Sequence, residues 1–252
     1  MRSLLWLTVI VLALAPVAPT WGEDPAGPVV TASADFNSAY IWRGLTFNDG
    51  WVFQPAFDVS GLKIGSVPIG VNIWSNFNLD DFDGAVLKNQ FSEVDITLSA
   101  ELGAGFKAIY IEYIYTVGAY ADPSISVPGT REIAVSWSKE MAFTPTFTLY
   151  YDMEEVDGAF LQLSLARSFD LSEKASLGLQ ADVGVASGAF ARYYGGDNGG
   201  FYQYQALAKL SYQATDRVRI YASAAYTNGF SQDILPKQPT DFYGGVGIAI
   251  TF

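Results

Sequence analysis

Carboxylates are the most numerous ionisable side chains in the chain, and their usual partners in catalysis are missing. The 252 residues include 26 Asp and Glu, 14 Lys and Arg, no histidine and no cysteine. Histidine most readily supplies a general base near neutral pH, and disulfides and thiolate chemistry need cysteine. These absences remove most hydrolytic and metal chemistry. The sequence therefore predicts a protein that is not an enzyme and that holds no metal or cofactor.

Two kinds of carboxylate chemistry stay open after these exclusions. A pair of carboxylates could serve as acid and base in a hydrolase, but acids that line a water-filled interior explain the same residues more simply. The acidic segments at 80–83 and 154–157 have oxygen ligands of the kind that Ca²⁺ or Mg²⁺ prefers. Neither has the spacing of an EF-hand loop. The formal net charge of −12 argues against a nucleic-acid partner, because phosphate binding needs clustered Lys and Arg.

Alternation of apolar and polar residues defines the elements that must position these groups. Segments such as Val94–Ala100, Leu161–Leu165 and Val246–Phe252 alternate strictly, which predicts strands with two unlike faces. We predict an all-β fold, a transmembrane antiparallel up-and-down β-barrel of about 12 strands. Ten or fourteen strands stay compatible with the pattern if one hairpin is misread. The predicted strands are 29–44, 51–62, 66–78, 91–102, 106–117, 131–141, 144–153, 158–169, 174–185, 201–212, 216–227 and 240–252.

The connections between the predicted strands alternate in length along the chain. Outer-membrane barrels have long external loops and tight periplasmic turns, whereas a soluble sandwich has no reason to follow this parity. The parity places both termini in the periplasm. The longer connections are 45–50, 79–90, 118–130, 154–157, 186–200 and 228–239, and the shorter ones are 63–65, 103–105, 142–143, 171–173 and 213–216.

The two ends of the chain indicate export to the outer membrane of a Gram-negative bacterium. Residues 1–22 have a positive start and an apolar run that is too short to be a spanning helix, so we predict a signal peptide cleaved after Gly22. A short periplasmic segment, 23–28, then precedes the barrel, 29–252. The last strand ends at Phe252 and looks like the targeting strand that the barrel assembly machinery recognises. That machinery, outer-membrane lipid and lipopolysaccharide are the expected partners.

The alternation also assigns each charged residue to a face of the barrel wall. Charges belong on the inner face, because a charge on the lipid face near the midplane costs about 2–4 kcal/mol. In the first strand Tyr40 and Trp42 are predicted to face lipid. The candidate residues of the lumen or its constriction are Arg43, Asp35, Asp58, Asp95, Glu112, Asp182, Lys209 and Arg219. Further acids predicted to point inward are Glu93, Glu101, Glu132, Glu140 and Asp152.

These residues predict a narrow passive diffusion channel whose acidic lumen favours cations or neutral small solutes. The alternative is a non-transport structural or surface-binding protein with a side-chain-filled barrel. Barrels of about eight strands are filled and those of about sixteen leave a channel, so twelve is intermediate. Arg43 is the residue of most interest, either as part of a constriction or as half of a structural ion pair inside the barrel.

One segment carries a family resemblance. The pattern Ser-x-Tyr-x-x-Arg-Gly-x-Thr at 38–46 resembles the hallmark of the Gcw_chp family, proteobacterial proteins predicted to be outer-membrane barrels. Segments 54–58 and 70–76 also look like the second and third strands of that family, and the match becomes diffuse beyond residue 78. Members of the family are largely uncharacterised. The resemblance therefore implies architecture and location, and no substrate.

Overall fold

The computed structural model describes residues 27–84, 86–116, 119 and 128–252. The predicted signal peptide, 1–22, and most of the short segment that follows it lie outside the described residues and stay predictions. Among the described residues, no helix has the length and apolar character that crossing a membrane requires.

Twelve antiparallel strands form a closed barrel, as the sequence predicted. Each strand pairs with its neighbours in the chain, and the first and last strands pair to close the wall. Two further strands, β2 and β3, form a separate hairpin. The strands are β1 (Val29–Asn37), β2 (Tyr40–Trp42), β3 (Leu45–Asn48), β4 (Val52–Ile64), β5 (Val67–Asn78), β6 (Gln90–Gly103), β7 (Phe106–Tyr115), β8 (Thr130–Ser138), β9 (Thr144–Asp152), β10 (Gly158–Asp170), β11 (Ala175–Ala186), β12 (Gly200–Gln213), β13 (Val218–Gly229) and β14 (Phe242–Thr251); a short helix, α1 (Gly188–Tyr193), precedes β12.

The outer surface of the barrel is apolar, which follows from the two-residue period of the strands. On β14, Val246 and Ile248 point outward with 57% and 39% of their surface exposed, whereas Ala249 points inward and is buried. Ile248 pairs with Ile220 of β13 and Ala34 of β1, so the apolar face continues across the seam that closes the wall. Exposed apolar side chains recur around the wall, an arrangement that hydrocarbon favours and water does not.

The two ends of the barrel differ in their connections. One end, called here the turn end, carries the start of β1, the end of β14 and the short connections 65–66, 104–105, 139–143, 171–174 and 214–217. The opposite end, called the loop end, carries the connections 38–51, 79–89, 116–129, 153–157, 187–199 and 230–241. The predicted alternation of long and short connections is therefore confirmed except at 153–157, which is no longer than the turn-end connection 139–143.

The prediction of one barrel strand over residues 29–44 was wrong for 38–44. The barrel strand β1 ends at Asn37, and the chain then turns inward as the hairpin β2–β3. Tyr40 and Trp42, predicted to face lipid, are 2% and 4% exposed and lie inside the barrel. Alternation could not show whether these two side chains face lipid or the interior. The filled interior surrounds them with apolar side chains, an environment similar to lipid.

Candidate functional site in the barrel interior

The hairpin inside the barrel is built on a two-residue turn. Trp42 pairs with Leu45 across Arg43 and Gly44, whose φ angles are +43° and +80°. Two consecutive positive φ angles are typical of the type I′ turn that matches strand twist. A Cβ on Gly44 would lie 2.9 Å from Cβ of Gln203, so this position needs glycine for space as well as for conformation. We call residues 39–48 the plug hairpin.

Backbone and amide hydrogen bonds fix the plug hairpin to the barrel at its base. The N–H of Ser38 donates to the carbonyl oxygen of Gly244 at 2.9 Å, and the N–H of Gly244 donates to Oγ of Ser38 at 3.1 Å. The N–H of Thr46 donates to Oε1 of Gln238 at 2.9 Å. Gln238 belongs to the loop-end connection 230–241. The hairpin is therefore held by strand β14 on one side and by a loop on the other.

Arg43 lies at the tip of the plug hairpin and forms a buried ion pair with the wall. Its Nη1 and Nη2 donate to Oε1 and Oε2 of Glu132 on β8, at 3.3 and 3.2 Å. The two side chains are 3% and 0% exposed. The guanidinium carbon also lies 4.2 Å from the ring centroid of Tyr150 and 4.3 Å from that of Phe160. In this forked geometry two N–H groups face one carboxylate, and such charge-assisted bonds are stronger than those between neutral groups.

Tyr40 makes the second polar contact from the hairpin to a carboxylate of the wall. Its hydroxyl donates to Oε2 of Glu93 on β6 at 2.8 Å, in a buried setting. The Tyr40 ring packs on Trp74 of β5 and Phe47 of β3, at centroid distances of 5.5 and 5.2 Å. Arg43 and Tyr40 thus both meet carboxylates of the wall, whereas Asn48 donates to the amide oxygen of Asn78 on β5 at 3.2 Å.

Aromatic rings fill the space around the hairpin. Trp42 packs on Phe190 and Tyr194 at centroid distances of 5.7 and 5.4 Å. Helix α1 brings Phe190 into the barrel, and the helix begins after Ser187, whose Oγ accepts from the N–H of Phe190. Burial raises the pKa of the Tyr194 phenol well above its usual value, so this group stays protonated.

The loop-end half of the barrel is filled by side chains. Every barrel strand except β1 contributes a lumen-facing side chain to which water has almost no access. Protein interiors of this kind leave few voids larger than a water molecule. Examples, one from each strand in chain order, are Gln54, Asn76, Glu93, Tyr113, Glu132, Tyr150, Phe160, Asp182, Gln203, Thr227 and Tyr243.

The turn-end half is different, because its charged lumen-facing side chains are partly exposed, although Asn72, Tyr221 and Ala249 are buried there. We call it the vestibule. Asp35 accepts from the Tyr221 hydroxyl at 3.0 Å, and Nζ of Lys209 lies 3.8 Å from the Tyr221 ring centroid. Asp58 accepts from Nδ2 of Asn72 at 2.8 Å. Charged residues of the vestibule include Asp35, Asp58, Glu101, Lys107, Lys209 and Arg219. The charges there are therefore mixed rather than purely acidic.

Two further candidate residues, Asp95 and Asp182, lie in the filled half. Asp95 is fully buried on β6. Asp182 on β11 accepts hydrogen bonds from Nε2 of Gln180 at 2.8 Å and from Nε2 of Gln205 at 3.2 Å. The candidate residues therefore divide into two groups. Arg43, Asp95 and Asp182 lie in the filled half, and Asp35, Asp58, Lys209 and Arg219 lie in the vestibule.

Glu112 was assigned to the wrong face. Its neighbours Ile111 and Tyr113 are buried and point inward, so Glu112 lies on the outer face of β7. It pairs there with Arg131, whose Nε lies 2.8 Å from Oε2 of Glu112. Glu112 is thus a charge on the outer face, contrary to the expectation that charges point inward. It lies near the loop end of the wall and is paired with Arg131. The alternation of β7 was ambiguous because inward-facing Ile111 and outward-facing Ile114 are both apolar.

Glu140 is a second correction. It was predicted to point into the lumen, but β8 ends at Ser138 and Glu140 is exposed in the turn 139–143. The sequence analysis also did not single out Tyr150, Phe160 or Phe190 as neighbours of Arg43. The available signal was Gly44, because glycine readily adopts the positive φ that a two-residue hairpin turn requires.

The interior has no arrangement that indicates a metal centre. Among the residues that the structure describes, no three His, Cys, Asp or Glu side chains are grouped so that they could hold a metal ion. Asp152 illustrates a structural use of a buried acid, because its Oδ1 accepts from the N–H groups of Glu154 and Val156 in the turn 153–157.

Comparisons with known proteins support the fold. No known protein family and no curated protein sequence matches the chain. An outer membrane channel from Pseudomonas putida F1 superposes with a TM-score of 0.52 at 8% sequence identity, covering 93% of this chain and 98% of that one. The NanC porin superposes with a TM-score of 0.49 at 9% sequence identity, covering 88% of this chain and 98% of that one. The translocator domain of the autotransporter NalP from Neisseria meningitidis superposes with a TM-score of 0.47 at 12% identity, covering 91% of this chain and 90% of that one. The chain is thus an outer-membrane type of β-barrel, and membership in the Gcw_chp family is not shown.

Proposed function

We propose that the protein is a diffusion channel of the outer membrane whose passage is controlled by the plug hairpin. The observation that carries the proposal is the division of the lumen into a vestibule, whose charged side chains are partly exposed, and a filled half. The outer membrane channel from Pseudomonas putida F1, which shares the fold, gives the proposal support at the level of architecture.

The hairpin is a connection rather than part of the wall, so it can move without breaking the barrel. Its bonds to the wall and loops are made through side chains, such as Arg43 to Glu132 and Asn48 to Asn78, whereas the wall strands are joined by backbone pairing along their length. Loops that fold into a barrel and narrow it are compatible with a role in gating, because short openings on the microsecond to millisecond scale need only local rearrangement.

The same proposal includes the location and the partners of the chain. Residues 1–22 direct export, the turn end faces the periplasm, and the strand that ends at Phe252 is recognised by the barrel assembly machinery. The apolar outer wall contacts lipid and lipopolysaccharide. The rival function is a structural or surface-binding barrel that stays filled, which the burial of the loop-end half favours.

Gly44→Ala separates the channel from the permanently filled barrel. The new Cβ would lie 2.9 Å from atoms of Gln203 and Leu235, at a φ of +80°, so the tip of the hairpin must shift. We expect the channel to be open for a several-fold larger fraction of the time than in the unmodified protein, or liposomes that contain the variant to swell faster in neutral solutes. Planar-bilayer recording of the refolded protein measures this directly.

Gly65→Ala is the matched control. Gly65 also has a positive φ, +62°, but nothing lies within 4 Å of its Cβ position in the turn between β4 and β5. This variant has the same kind of backbone strain without touching the hairpin, and we expect the conductance of the unmodified protein. Absence of current from all three proteins, with folding intact, would refute the channel and leave the filled barrel.

A further inference from the structure

Arg43 occupies a binding site that belongs to the barrel wall. Glu132, Tyr150 and Phe160 lie on the adjacent strands β8, β9 and β10, and Phe160 pairs directly with Tyr150. The carboxylate accepts two hydrogen bonds, at 3.3 and 3.2 Å, and the two rings lie 4.2 and 4.3 Å from the guanidinium carbon. Neighbouring paired strands hold all three of these side chains in place, and Phe190 of α1 and Trp42 of the hairpin complete the surroundings, with ring centroids 5.4 and 4.5 Å from the guanidinium carbon.

The ligand in this site comes from a different element. Arg43 is at the tip of the plug hairpin, with a φ of +43°, in the left-handed region that residues other than glycine seldom adopt. Backbone strain of this kind persists where the surrounding contacts impose it, and it is concentrated at ligand sites and switches. The type I′ turn itself requires a positive φ at this position, so the turn and the seated guanidinium together hold the tip in this conformation.

The charge of the filled half decides which solutes the site can take. Arg43 is the only basic side chain among the buried residues in the described part of the chain, where Glu93, Asp95, Glu132, Asp152 and Asp182 are buried on the wall. Anionic solutes would meet carboxylates there, and neutral ones would leave Glu132 buried without its cation, which is costly. A cation is the favoured occupant.

The geometry favours one class of cation in particular. A planar guanidinium offers two parallel N–H groups to a carboxylate and stacks its face on aromatic rings, whereas an ammonium is a compact, strongly hydrated point charge. We infer that Glu132, Tyr150 and Phe160 form a binding site for guanidinium-bearing solutes, which Arg43 occupies as an internal ligand. The binding site itself does not require a channel. The inference rests on the proposed function only for its consequence, that guanidinium-bearing solutes are the ones that the channel admits.

Chemical rescue of Arg43→Ala tests the site. N-ethylguanidinium carries the atoms that this substitution removes, so it should bind the vacated site, raise the temperature of heat modification in detergent and block current in bilayers. Ethylammonium at equal ionic strength should need a concentration about tenfold higher, since it lacks the fork. The double variant Arg43→Ala/Glu132→Gln should lose the response to N-ethylguanidinium.

The unmodified protein provides a second arm that does not depend on the folding of a variant. Free N-ethylguanidinium competes there with a tethered Arg43, whose effective concentration is on the order of millimolar or above. It should therefore act only at high concentration and should increase open time, the opposite of its effect on Arg43→Ala.

Two results would overturn the site. One is an equal response to both cations, and the other is an undiminished response in the double variant. The heat-modification readout needs no current, so a failure of the channel proposal and a failure of the binding site are distinguishable.

Discussion

Replacing Arg43 with alanine is expected to destabilise the folded barrel by about 3–5 kcal/mol, the usual result of removing one partner of a buried ion pair. The substitution leaves Glu132 fully buried without the guanidinium that neutralises it. It also removes the stacking of the cation on Tyr150 and Phe160. Urea unfolding of the refolded protein in lipid, followed by tryptophan fluorescence, measures the free energy of unfolding.

A double variant distinguishes loss of the pair from loss of packing. Arg43→Met/Glu132→Leu removes both charges, and we expect it to recover most of the lost stability, because apolar replacements of buried ion pairs are often neutral or stabilising. The matched control is Arg131→Ala. Arg131 also binds carboxylates, Glu112 and Glu154, but its side chain is 45% exposed, so a far smaller change is expected. Equal effects of the two arginine substitutions would contradict the assignment of Arg43.

The barrel wall could be predicted from the sequence because its physical constraint is local. A strand between lipid and lumen must alternate at every second residue, and the connections must alternate in length from one end to the other. Both patterns are visible without knowledge of distant contacts. Strands such as β10 and β13 therefore lie within two residues of their predicted bounds.

The plug hairpin could not be predicted by the same reasoning. Its apolar residues, such as Tyr40 and Trp42, are placed among the aromatic rings of Phe190 and Tyr194, which lie far away in sequence. An interior filled by aromatic side chains and a lipid exterior select the same residue types, so composition cannot distinguish them. The turn formed by Arg43 and Gly44 was the local evidence that the strand ends earlier.

The charged residues of the site illustrate the same limit. Alternation assigned Asp95 and Asp182 to the inner face, but it could not show that one half of the lumen is filled and the other accessible. That division depends on which loops fold inward. Glu112 was misassigned because Arg131, its partner on the outer face, lies on another strand. Pairing between strands determines where a charge is tolerated, and it becomes visible only in the fold.

Replacing the plug hairpin, residues 39–48, with a Gly-Ser linker of equal length is expected to have the largest effect on transport. The linker has no aromatic side chain that could pack on Trp74 or Phe190 and no cation for Glu132. The filled half should then hydrate, and single-channel conductance should rise by an order of magnitude or more. Planar-bilayer recording in symmetric KCl measures the change.

The opened barrel should also become selective for cations. Replacing the hairpin removes the one buried basic side chain of the described residues, Arg43, and leaves the buried acids of the wall in place. Glu93, Asp95, Glu132, Asp152 and Asp182 all belong to wall strands, whereas Arg43 leaves with the hairpin. Rings of carboxylates in a narrow lumen favour cations. The reversal potential in a KCl gradient should therefore shift towards that of K⁺. Adding Glu93→Gln and Glu132→Gln to the opened barrel should reduce the shift at similar conductance. A large but unselective conductance would show that the buried acids do not line the pathway, and an unchanged conductance would show that the hairpin does not close it.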